Sequence, residues 1–172
     1  MRVYIPATLP MLTGLVADGS LQPRSGTAFA VTPTLRESYA EGNDEELAEV
    51  AIGEAARASL RLLATGPDDA GPDDGPPPRR AVVVADAPDG TATLRPDLDD
   101  AVVRLSGRVN LDQVAAVYVD NAAAEPAVRA AIAVIDAADL GEEDAELTVG
   151  DAQDHDLAWY ATQELPFLLD LL

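Results

Sequence analysis

The sequence predicts one α/β domain, with an α+β arrangement left open, built on a mixed, partly parallel sheet with helices packed on it. Three observations carry this. Strand-like apolar runs alternate with helical periods along most of the chain. "AVVVAD" at residues 81–86 is an almost unbroken apolar run, which suits a strand covered on both faces. A chain of 172 residues, 48% of them hydrophobic, can bury a sizeable single core.

The elements follow in order. "RVYIPA" (residues 2–7) alternates as a strand, and Thr8 then caps a helix that tolerates Pro10 in its first turn and ends at Gly19. "GTAFAVTP" is a short strand opening at Gly26, and Pro33 starts a brief helix. The longest helix runs from Asn43 to about Ala64. Asn43 and Glu46 stand at capping-box spacing, and Leu47, Ala51, Ala55, Ala58 and Leu62 form its apolar stripe. "AVVVAD" and "AVVRLSG" are strands, and a helical turn capped by Asn110 leads to a strand at Ala116–Val119. "EPAVRAAIAVIDAADLG" is amphipathic, with Val128, Ala131, Ile132 and Ile135 inward and Gly141 beyond its end.

The stretch from Asp139 to Asp156 holds eight acids and no base, and reads as a solvated acidic connection. "WYATQELPFLL" repeats the grammar of "YIPATLPML": aromatic strand residues, Ala-Thr, then a Leu-Pro pair opening a helix. Residues 66–80, "GPDDAGPDDGPPPRR", are expected to be a flexible loop within the single domain 1–172, because Pro, Gly and Asp cannot bury enough surface to offset chain entropy.

Charge narrows the function. The chain has 31 acids, 11 bases and a net charge of −20, and every base is arginine. No basic patch is present to neutralise phosphates, so neither nucleic acid nor an anionic membrane is an expected partner. No apolar run approaches the ~20 residues that cross a bilayer. No signal peptide precedes the first strand, so a cytoplasmic location is expected. Without cysteine or lysine there are no thiolate ligands, Schiff bases or P-loop cations, and no glycine-rich phosphate loop occurs. No cofactor or metal is expected.

Candidate ligand contacts lie where strands end, since open α/β sheets bind there. Thr8 follows the first strand, and Asp86 and Asp120 follow "VVVA" and "VYV". Two carboxylates at neighbouring strand ends could orient a ligand, although aspartate is also an ordinary turn residue. His155 is the only histidine; without a nucleophile elbow nearby it reads as a connection residue. Trp159 and Tyr160 should alternate across a strand, one facing the core and one facing out. The apolar tail exceeds one narrow helical stripe, which marks Trp159, Tyr160, Leu165, Phe167, Leu168 and Leu171 as interface candidates.

"SGTAFAVTPTLRE", "EAARASLRLLA", "VAAVYVD", "AEPAVRAA" and "GEEDAELTVGDAQDHDLAWYATQEL" together resemble a family of small actinobacterial proteins of unknown function. The resemblance spans nearly the whole chain outside the Pro/Gly/Asp loop. It implies a bacterial, cytoplasmic, single-domain protein and brings no active site. The expected function is a non-enzymatic protein-interaction or regulatory module, acting on an unknown protein partner or by self-association as a dimer. A metal- or small-ligand-dependent enzyme using Asp86 and Asp120 stays open, as does an acidic nucleic-acid mimic.

Overall fold

The structure, a computed structural model, describes residues 1–39, 41–65 and 75–172. β1 (Arg2–Ala7) ends at Thr8, whose Oγ1 accepts the Met11 amide and so starts α1 (Leu9–Asp18). Gly19, at φ 73°, closes α1 in the left-handed conformation that glycine adopts without strain. β2 (Ser20–Leu21) and a short turn lead to β3 (Thr27–Phe29). There Gly26 has φ 70°, and a Cβ would lie 2.7 Å from the Leu105 carbonyl oxygen. α2 (Pro33–Ser38) is capped by Thr32, and α3 (Asp44–Ala64) by Asn43, whose Oδ1 accepts the Glu46 amide at 2.9 Å.

β4 (Ala81–Asp86), β5 (Ala92–Leu94), β6 (Val102–Leu105), β7 (Val109–Asn110) and β8 (Val114–Val119) follow. Between β7 and β8 the Asn110 amide donates to Gln113 across a single helical turn. α4 (Glu125–Asp139) and α5 (Glu143–Gln153) form a helical hairpin before β9 (Ala158–Ala161) and α6 (Leu165–Asp170).

Seven strands form one sheet in the order β5-β6-β3-β1-β4-β8-β9, and β2 pairs β7 beside it. Every neighbouring pair is antiparallel, so the expected partly parallel sheet is corrected. The reason lies in the connections. A single helix returns the chain to start a parallel strand, but β8 and β9 are joined by two helices, and the second reverses the direction again. After α1, residues 20–26 must likewise retrace the helix, because Phe29 pairs with Tyr4 and thus Thr27 lies near the end of β1 where α1 began. β3 and β4 share a direction, but β1 lies between them.

Sequence reading missed the short strands β2, β5 and β7 and one helix, α5. What reads as an acidic connection is a helix whose acids face water while Ala145, Val149 and Ala152 face inward at helical spacing. The packing has three centres. On one sheet face, α1 and α6 cover Val3, Ile5, Val83, Val103 and Val117. On the other, α3 covers Tyr4, Phe29, Val82, Val84 and Ala116. Outside α3, the α4–α5 hairpin buries Leu60, Val128, Ile135 and Val149. α3 is therefore covered on two sides. Leu60 rather than Leu62 is its fully buried leucine, and Ile132 of α4 is only half-buried.

Gly66–Asp74, most of the expected loop, lie outside the described residues. Arg79 and Arg80, counted with that loop by sequence, are anchored instead: Arg80 is 1% exposed. Among the described residues no helix is long and apolar enough to cross a membrane.

Candidate protein-binding groove

The three ligand candidates do not converge. Thr8 is spent on capping α1. Asp86 lies at the far end of β4, exposed, where Arg2 Nε reaches it at 2.8 Å and holds its carboxyl below the usual range. Asp120 adjoins Arg80, six residues back along the same strand, about 20 Å away at ~3.3 Å per residue. The antiparallel pairing of β4 and β8 is what separates the two strand ends.

Asp120 instead belongs to a buried polar cluster. Its Oδ2 accepts the Arg80 amide at 2.8 Å and Nε at 2.9 Å, and its Oδ1 accepts Nη2 at 2.7 Å. Arg80 Nη1 donates to Gln153 Oε1 and Nη2 also to the His155 carbonyl, each at 2.8 Å. Gln153 in turn donates to the Gly53 carbonyl of α3 at 3.0 Å. One guanidinium thus joins β4, β8, the end of α5 and α3, and it fixes the segment that delivers β9. Satisfying each donor is the condition for burying such a charge.

Above this cluster a groove opens between α3 and the β8–β9 side of the sheet. α3 crosses β1, β3 and β4 but stops short of the sheet edge. Two cavities of about 470 and 320 Å³ adjoin there and share Glu49, Ile52 and Tyr118. The first extends past His155 and Asp156 to Arg80; the second passes Glu45 and Trp159 to Arg2. Tyr118 and Trp159 are register partners on β8 and β9, so the two rings stand side by side. Tyr4 completes the aromatic floor, where burial raises its phenol pKa.

The groove is acidic. Among the described residues, Glu45, Glu49 and Asp156 enter no ion pair, whereas its arginines are engaged, Arg2 by Asp86 and Arg80 by Asp120. β9 ends the strand order, so among the described residues its outer row of amides and carbonyls has no neighbour in the sheet. It carries neither charge nor proline, the usual guards of an edge.

The interface candidates divide. Trp159 is 57% exposed on the groove face, while Tyr160 packs against the opposite core, as alternation requires. Leu165 and Leu168, expected at an interface, are core residues beneath α6, which corrects that expectation. Phe167 and Leu171 are 72% and 85% exposed, on the helix covering the face opposite Trp159. Thr162 does not cap α6; its hydroxyl donates to the Val114 carbonyl. Sequence reading missed Glu45, Glu49, Tyr118 and Gln153 as site residues. Only Tyr118, an aromatic one position before the strand end, carried a signal.

Fold and groove together define a two-faced antiparallel α/β domain with one open, aromatic, acidic edge. The chain belongs to a family of unknown function (DUF6912), whose model matches residues 1–169. No curated protein and no solved structure is matched.

Proposed function

We propose that this chain is a non-enzymatic, cytoplasmic binding protein, and that its partner protein sits in the groove between α3 and the β8–β9 edge. The observation that carries the reading is Trp159. A tryptophan that could bury a large apolar surface is 57% exposed, beside a cavity and on an unguarded edge strand. Tryptophans so placed are the residues that dominate protein interfaces. The buried Arg80–Asp120 cluster supports the reading by fixing the groove floor before a partner arrives, which lowers the ordering cost of association.

Site-specific photocrosslinking in the native host tests this. A photoreactive amino acid replacing Trp159 should give one discrete protein adduct, and the same group replacing exposed Arg129 on α4 should give none. Equal adduct patterns from both positions, or none from position 159, would remove the groove as the binding face.

A further inference from the structure

We infer, on the basis of that reading, that the occupant of the groove is an extended, arginine-bearing segment of a different protein, added as a new strand alongside β9.

Backbone chemistry sets the first part. Among the described residues β9 is paired with β8 on one side only, and strand addition is how an open edge satisfies its remaining groups. A strand laid there turns alternate side chains toward the groove face, next to Trp159 and across from α3.

Charge sets the second part. The groove-facing side chains of such a strand meet Trp159 and Tyr118 together with Glu45, Glu49 and Asp156. Aromatic faces attract cations, and unpaired carboxylates accept charge-assisted hydrogen bonds. Arginine does both at once: its planar guanidinium stacks on a ring while its edge donates to a carboxylate, which the compact lysine ammonium cannot match.

Charge also argues against a second copy. Each chain carries a net charge of −20. Antiparallel pairing of β9 with itself would bring the end that follows Asp156 in one copy toward the end that precedes Glu164 in the other, and like charges brought together at an interface repel.

The test uses the full chain and an acetylated, amidated heptapeptide alternating valine and arginine. Two control peptides replace arginine by neutral citrulline or by glutamate. Trp159 is the only tryptophan, so its fluorescence reports the groove directly. The arginine peptide should give a saturable change at submillimolar concentration, at least tenfold tighter than citrulline, with none for glutamate. Glu45→Gln with Glu49→Gln should weaken binding at least tenfold. Glu142→Gln with Glu143→Gln, remote on the α5 side, should leave it unchanged.

Equal binding of the arginine and citrulline peptides overturns the cationic occupant while leaving the groove as a docking face. Equal weakening by the groove and remote double variants also overturns it, because attraction to the chain's overall charge then explains the binding. Failure of every peptide to perturb Trp159 at millimolar concentration removes strand addition, and the crosslinking from position 159 then decides the groove separately. A dimer in light scattering that Trp159→Arg dissociates replaces the partner by a second copy.

Discussion

Arg80 and Asp120 clasp each other in a two-pronged contact at 2.9 and 2.7 Å, with side chains 1% and 0% exposed. The pair sits where β4 begins and β8 ends, beneath the segment that carries His155 into β9. Its effect on the groove is positional. Through Gln153 and the His155 carbonyl, Arg80 ties the end of α5 and the segment before β9 to the point where β4 begins.

Asp120→Ala should therefore cost about 3–5 kcal/mol, because it leaves a buried guanidinium unpaired. Replacing both partners together, Arg80→Met with Asp120→Leu, should cost less than the single change. Urea denaturation of the three proteins compares them; a double variant less stable than Asp120→Ala would contradict this.

Asp139, the last residue of α4, receives Arg57 at 3.1 Å and Arg61 at 2.7 Å from α3. The Arg61 hydrogen bond lowers its pKa below the ordinary 3.8. A carboxylate with a lowered folded pKa contributes stability above its unfolded pKa, and that contribution is lost as pH falls through the folded value. Glu54 behaves oppositely. Burial, with Asp99 adding repulsion, raises its pKa above 4.5, so its contribution declines as pH rises through that window. Asp139→Asn should flatten the loss of stability on acidification below about pH 4, and Glu54→Gln should stabilise the protein at pH 7. Thermal unfolding measured across pH 2–7 reads both.

The tail supplies a contrast within one helix. Leu168→Ala should cost about 2 kcal/mol, the low end for a buried leucine, because at 7% exposed it sits at the rim of its core. Phe167→Ser and Leu171→Ser, at exposed positions, should each stay within about 0.5 kcal/mol. Equal losses at all three positions would show that α6 does not pack on α1.

Gly26→Ala should destabilise by about 1–3 kcal/mol, since a side chain there combines a positive φ with a 2.7 Å approach to the backbone oxygen of Leu105. Circular dichroism melting of the variant checks it.

Much of this fold was legible in the sequence because local chemistry sets it. Thr8 and Asn43 start helices and Gly19 ends one where their side chains or conformational freedom dictate, and "AVVVAD" is the interior strand that its apolar run implies. Strand direction was not legible. It depends on how many elements lie between two strands, and α5 hides its apolar stripe in small alanines among acids. The site was legible only in fragments. Trp159 was marked as a candidate for its position in the tail, but its neighbours come from register and helix placement: Tyr118 through β8 pairing, Glu45 and Glu49 through the line α3 takes across the sheet. Arg80 looked like the end of a polar loop because nothing local announces that its partner lies forty residues ahead.

Amide hydrogen exchange along β8, β9 and α6, with and without the valine–arginine heptapeptide, tests the binding face most directly. Unpaired edge amides exchange quickly, and pairing with an added strand protects them. The predicted result is new protection within Ala158–Ala161, with α6 unchanged. Protection gathered around Phe167 and Leu171 with none in β9 would contradict the assignment of the groove.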